Sequence, residues 1–160
     1  MNHKIMLSAL VPIVLLFGSV LAGTPQDNKD LVVEFIEALN AKDFERLPDF
    51  ITEDFTRHSQ ASPNVVIESK EQFKFHMRDD LEVFPDARQD VRQIIAEGDK
   101  VAIWANYMGT YKGRSSKSGL VGPKVNIEMA AIFRIEGGKL AEVWVTWDNK
   151  ALEAQLKALE

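Results

Sequence analysis

The chemistry this chain is best equipped for centres on an acid at the end of an apolar strand. In Glu142-Val143-Trp144-Val145-Thr146-Trp147-Asp148, residues two apart share a face of an extended strand. Trp144, Thr146 and Asp148 then point one way, and Val143, Val145 and Trp147 the other. A carboxylate beside indole rings is poorly solvated. Desolvation raises a carboxyl pKa toward the range useful for proton transfer near neutral pH. Such a group removes a proton α to a carbonyl and later returns it. The same residue suits a simpler task, because Asp148-Asn149 ahead of Ala151 is good helix-capping chemistry. The residues alone leave both readings of Asp148 open.

Other reactive constellations are missing from the sequence. There is no Cys, so disulfides, thiolate metal sites and Cys nucleophiles are excluded. No G-x-S-x-G elbow, Walker loop, dinucleotide fingerprint or H-E-x-x-H pair occurs. Beyond the N-terminal segment only His58 and His76 remain, too far apart and too isolated to suggest a metal site. His76 falls on a helix near Phe73 and reads as a packing or surface residue. Glu128, among Ile127, Met129 and Ala130, is either a second cavity acid or part of a solvated sheet face. A one-residue slip in strand register exchanges those two fates. Trp104, Trp144, Met108, Phe55 and Phe73 are the candidates for lining a substrate pocket, although apolar residues at such spacing also simply build cores.

These side chains need a scaffold, and the hydrophobic pattern predicts one. Leu31, Val32, Phe35, Ile36 and Leu39 make one stripe of a helix over 27–40, capped by Asp27 or Asn28. A short helix follows, with Phe44, Leu47, Phe50 and Ile51 on one side and Pro48 limiting its length or marking its start. Residues 53–59 read as a brief extended segment. Ser69 to Gln72 has capping-box spacing and opens a third helix carrying Phe73, Met77, Leu81 and Phe84, which Pro85 ends. The period then falls to two. Strands are predicted over 89–96, 101–111, 125–135 and 140–147, joined by turns at Gly98 and at Gly137-Gly138, with a Gly/Ser/Lys loop over 112–123. A final short helix spans 151–159. Helices first and a four-stranded antiparallel meander after define an α+β domain, whose bent sheet can enclose a pocket beneath the helices.

Composition narrows the function further. The 160 residues are 27% charged and 46% hydrophobic, the balance of one globular domain. Lys plus Arg number 19 against 24 Asp plus Glu, a net charge of -5. No basic patch marks a nucleic-acid surface, so nucleic acid is not an expected partner. Met1 to Lys4 followed by an uncharged apolar run to Gly23 has the pattern of a secretory signal peptide cleaved near Ala22 or Gly23. The competing reading is an uncleaved membrane anchor. Cleavage implies a secreted or periplasmic domain over 24–160 with no stable membrane association.

Against this frame the motifs resemble a known family. Phe133-Arg134-Ile135, then Gly138-Lys139-Leu140, Glu142, Trp144 and Asp148, resemble the C-terminal signature of the SnoaL-like polyketide cyclases, or ester cyclases, of the NTF2-like superfamily. Phe84-Pro85-Asp86, Glu97 to Val101, Gly109 to Gly113 and Gln155-Leu156 match in the same order. The resemblance implies an NTF2-like cone, a curved antiparallel sheet wrapped around a pocket and closed by N-terminal helices. It implies ring closure of a polyketide by aldol chemistry without metal or organic cofactor, with Asp148 as general acid/base. Arg57-His58 stands where the family often has Asp-His, so His58 is retained, either to polarise a carbonyl or share the proton, or simply as a partly buried His bonded to backbone. Tyr111 replaces a family His, and a Tyr donates a hydrogen bond to an enolate without carrying charge. Family members also often pair through the outer sheet face. Val143, Val145 and Trp147 would suit either such a homodimer or packing under the helices.

The expected function is therefore acid/base chemistry on a small hydrophobic carbonyl compound, independent of cofactors, carried by Asp148, His58 and Tyr111. Two other readings share the pocket: a secreted binding protein for a small hydrophobic ligand, and an NTF2-like isomerase or dehydratase.

Overall fold

The computed structural model describes residues 23–112 and 122–157. The signal-peptide reading of residues 1–23, apart from Gly23, and residues 113–121 of the predicted loop over 112–123 lie outside the described residues. Helix α1 spans Pro25–Ala41. Its cap is Thr24, not the expected Asp27 or Asn28. The Thr24 hydroxyl accepts from Asp27 N while the Asp27 carboxylate accepts from Thr24 N, a reciprocal box with Pro25 in the first turn. Asn28 is instead buried and donates to Gly98 O, tying the helix to a strand turn. Val32, Phe35, Ile36 and Ala38 form the buried stripe. Helix α2 is one turn, Leu47–Phe50, with Pro48 near its start. Helix α3, Lys70–Val83, is capped by the Ser69 side chain accepting from Gln72 N. Helix α4, Asn149–Lys157, closes the described chain.

Among the described residues five strands build one sheet in the order β1-β5-β4-β3-β2. They are β1 Ile51–His58, β2 Arg88–Glu97, β3 Lys100–Thr110, β4 Lys124–Glu136 and β5 Lys139–Trp147. The four-stranded meander forms as expected. The extended segment near residue 53 is more than a connector: it becomes β1 and pairs parallel to β5, making the sheet mixed rather than antiparallel. Parallel pairing joins strands far apart in sequence, so no local hairpin signal announces it. Gly98, and both Gly137 and Gly138, have positive φ and form the tight turns between β2 and β3 and between β4 and β5.

The strand register decides the two faces. Val101, Ile103 and Ala105 on β3, Ile127, Met129, Ala131 and Phe133 on β4, and Val143 on β5 are buried under the helices. Their neighbours Trp104, Ile132 and Trp144 are 45%, 44% and 38% exposed on the opposite face. Phe35 sits at the centre of the core, with the rings of Phe50, Phe73 and Phe133 all about 6 Å away.

Candidate active site

A cavity of about 170 Å³ opens between the inner sheet face, α3 and α4. Met77, Phe84, Ile127, Met129, Val145 and Leu152 give it an apolar wall, and Arg57, His76, Asp80, Tyr107 and Trp147 bring polar atoms to it. An apolar hollow with a few converging polar groups is the usual form of a small-molecule site. Helix α3 supplies His76 and Asp80 one turn apart, on the side where Phe73 enters the core. Strand β3 supplies Tyr107, β1 supplies Arg57, and Trp147 is the last residue of β5. Helix α4 closes one side and is held by Gln155, whose side chain accepts from Asn126 N and donates to Asn126 O on β4.

The chemistry of this cavity converges on Asp80. The Tyr107 hydroxyl donates to Asp80 Oδ2 at 3.1 Å. Burial raises the Asp80 carboxyl above its ordinary range, against the opposing pull of the Tyr107 hydrogen bond and of His76. Burial, with the Asp80 charge added, pushes the Tyr107 phenol up, so that it stays protonated as a donor. Burial also pulls His76 down, opposed by Asp80 and reinforced by Arg57, which favours its neutral form. A carboxyl poised to exchange its proton thus sits beside a fixed hydroxyl donor and a neutral imidazole. Among the described residues no group of three or more His, Asp or Glu side chains is arranged to hold a metal ion.

Most of the side chains singled out from sequence lie elsewhere. Val143, Val145 and Trp147 turn inward, the helix-packing one of their two readings, and Trp144, expected to line the pocket, turns outward with Thr146. The cause is pairing: Val143 opposes Phe133, and Trp147 opposes Met129, both buried residues of β4. Val143, Val145 and Trp147 are therefore unavailable for an outer dimer surface. Asp148 is exposed and caps α4, its Oδ1 accepting from Lys150 N and Ala151 N. Of its two readings, the capping one describes its position. His58 lies on the outer face, stacked on Trp144 with centroids 5.1 Å apart, and bonded to Glu142 at 3.1 Å. That bond, with Arg134 adding to it, holds the Glu142 carboxyl low.

The remaining sequence candidates divide between core, rim and outer face. Tyr111 packs its ring against Phe84 at 5.4 Å, at the rim of the cavity rather than in its wall. Trp104 and Met108 alternate with the buried β3 residues, and Glu128, opposite Asn106, is exposed. Phe55 and Phe73 belong to the core, their rings 5.2 Å apart. Asp80, Tyr107, Arg57 and Trp147 went unread as cavity residues. One signal was present: Asp80 falls four residues after His76 and seven after Phe73, placing an acid within an otherwise apolar helical stripe.

The capping role of Asp148 has a measurable consequence. Asp148→Ala removes an N-cap and is expected to lower stability by about 1 kcal/mol, read from urea unfolding. No loss would mean that α4 holds without the cap.

A cone-shaped α+β domain with an apolar cavity between sheet and helices defines the class of protein. Comparison with known proteins then assigns the family. The sequence profile of the SnoaL-like polyketide cyclases matches residues 29–156, and the chain belongs to that family. A proposed SnoaL-like polyketide cyclase from Shewanella putrefaciens superposes with a TM-score of 0.74 at 17% identity, over 86% of this chain and 100% of that one. AclR, a proposed hydroxylase from Streptomyces galilaeus, gives 0.70 at 24% identity, over 86% and 100%. IdmH, a proposed polyketide cyclase from Streptomyces antibioticus, gives 0.70 at 25% identity, over 81% and 97%. No curated protein matches. Family membership supports a cyclase-type enzyme role in general terms.

Proposed function

We propose that the protein catalyses proton transfer at the α-carbon of a small hydrophobic carbonyl compound, the enolisation that begins an aldol ring closure. The observation carrying this reading is the Asp80–Tyr107 pair, a buried carboxyl and a fixed hydroxyl donor, in the wall of an apolar cavity. In its ionised form Asp80 takes the α-proton. Carbon–hydrogen bond electrons then move onto the carbonyl oxygen as an enolate, and the protonated Asp80 returns the proton to the product. Tyr107, a donor throughout, holds the carboxylate in position, and neutral His76 beside it offers a hydrogen bond to the developing oxygen charge. The residues expected from sequence to do this work, Asp148, His58 and Tyr111, do not line that cavity.

The test is solvent-deuterium uptake at the α-carbon of phenylacetone and of phenylpyruvate, followed by NMR. Uptake faster than in buffer for either compound supports the reading. A bound compound that never exchanges would leave a ligand-binding protein instead.

We also propose that the apolar N-terminal run directs export, as its pattern implies. Intact mass of protein recovered from the producing cells checks this: loss of the first 22 or 23 residues is expected, and a retained run would mean an anchor. Pairing of two copies, expected from the resemblance, is proposed through the outer face. There Ile132 and Trp144 lie directly opposite one another, with Trp104 on the next strand. Trp104→Glu is then expected to lower the mass seen by light scattering, and an unchanged mass would move the interface elsewhere.

A further inference from the structure

Two donors in the wall of the cavity have no acceptor among the described residues. Arg57 Nη2 donates to Ser62 Oγ at 2.8 Å, but the buried Nη1 of the same guanidinium finds no acceptor among the described residues. The buried Trp147 Nε1 finds none either. Both residues line the one cavity, and the guanidinium carbon lies 5.8 Å from the centre of the Trp147 ring. Buried polar atoms are paired in the great majority of native structures, and leaving one unpaired costs the full desolvation of that group. Two such atoms on the adjacent strands β1 and β5, both in residues that line one hollow, therefore mark where an acceptor from outside the chain belongs.

The charge of the cavity says what kind of acceptor. Arg57 remains a cation despite its burial, because a guanidinium does not lose its proton in a protein. The Asp80 oxygen is engaged by Tyr107, not by Arg57. His76 is drawn toward its neutral form and Tyr107 stays protonated. Arg57 is thus the one cation of the described wall, felt by Asp80 through space but with a donor left free, in apolar surroundings where a charge is worth more than in water. A carboxylate has two oxygens, enough for one donor each, and a guanidinium is built to bind it.

We propose that Arg57 Nη1 and Trp147 Nε1 together form a carboxylate-binding point, so that the ligands of this cavity are small hydrophobic oxo acids rather than neutral ketones. This rests on the cavity being the substrate site, and deepens that reading by naming the substrate class. It also divides the labour. The carboxylate anchors the molecule on the β1–β5 side, and its carbonyl end faces Asp80 and Tyr107.

The experiment is equilibrium binding of cinnamate and of cinnamamide, equal in shape and different in charge, to the full chain at neutral pH, read by calorimetry and by Trp fluorescence. Cinnamate is expected to bind at least about tenfold more tightly, the effect of one good hydrogen bond to a charged group. Arg57→Met is expected to erase the preference while cinnamamide binding persists. Trp147→Phe keeps the ring and deletes only the donor, and is expected to weaken cinnamate several-fold. It serves alone where Arg57→Met does not fold. Equal affinity for the two probes, binding of neither at millimolar concentration, or a preference untouched by both substitutions would overturn the proposal. Deuterium uptake is a separate readout. A carboxylate preference without α-proton exchange would remove the acid/base reading and keep the anchor. Exchange on phenylacetone without any preference would do the reverse.

Discussion

Asp80→Asn should cut α-proton exchange by on the order of 10²–10⁴-fold, the span usual for deleting a positioned general base. The substitution keeps shape and keeps an oxygen for the Tyr107 hydroxyl, so the cavity should persist with only the proton acceptor gone. Two further measurements separate this from damage to the fold. Asp80 must be ionised to accept a proton, and burial raises its pKa above the ordinary carboxylate value of 3.8. The wild-type rate should therefore climb with pH through a midpoint higher than an exposed Asp would give. The variant should lack that limb. Stability should move the other way. With the folded pKa above the unfolded one, the native state holds the proton more tightly between the two values. Stability linked to this group is full below the unfolded pKa and is lost as pH rises through the folded pKa. At neutral pH the buried charge is a cost, and Asn removes it. A variant as stable as the parent or more so, yet inactive, is the expected pair of results. Full activity in Asp80→Asn, with activity lost in Asp148→Ala, would return the chemistry to the strand end.

The same comparison shows which parts of the molecule local sequence encodes. Periodicity located α1, α3 and the four strands of the meander, because each buries its own regular stripe against one neighbour. The family motifs were legible too, but largely as structural ties. Asp86 of Phe84-Pro85-Asp86 accepts from both the backbone N and the hydroxyl of Thr110, joining the end of α3 to the end of β3. Gly109 beside it has the Ala87 backbone so near that a Cβ would sit 3.3 Å from Ala87 Cα. Gln155 clamps α4 to Asn126. Glu142 takes Arg134 at 2.8 Å on the outer face. These motif residues thus hold elements together, as does Asp148, the one residue of the C-terminal motif read for catalysis, which caps α4.

What stayed hidden depends on long-range pairing. Strand β1 lies parallel to β5, with His58 opposite Trp144, more than eighty positions along the chain. That pairing brings Arg57 to the cavity and carries His58 to the outside, since neighbours in a strand face opposite ways. Which face of β5 turns inward is likewise fixed by its register on β4, and alternation alone leaves the choice open. Asp80 was accessible to a stricter reading. An acid within the apolar stripe of α3 either carries a large desolvation cost or has a function, and that question arises before any coordinates are known.

The largest expected effect on folding comes from a residue with no chemistry. Phe35 is 3% exposed and its ring meets three others, from α2, α3 and β4. Phe35→Ala should lower stability by about 3–5 kcal/mol, the transfer cost of the ring plus that of the cavity it leaves. Set against the ~5–15 kcal/mol typical of a domain, this could consume most of the margin, and there is no disulfide to make it up. The consequence reaches the site through α3, the helix that carries Asp80 and His76. Its contact with α1 passes through the Phe35–Phe73 pair, so loosening that pair should free α3 to shift against the sheet. Urea unfolding with Trp fluorescence reads the first effect. Amide hydrogen exchange along α3 reads the second, as faster exchange near residues 73–80 under conditions where the rest of the sheet stays protected. A loss below about 1 kcal/mol, the scale of a peripheral contact, would show that the four-ring cluster is not the centre of the fold. An α3 that exchanges no faster would uncouple the site from it.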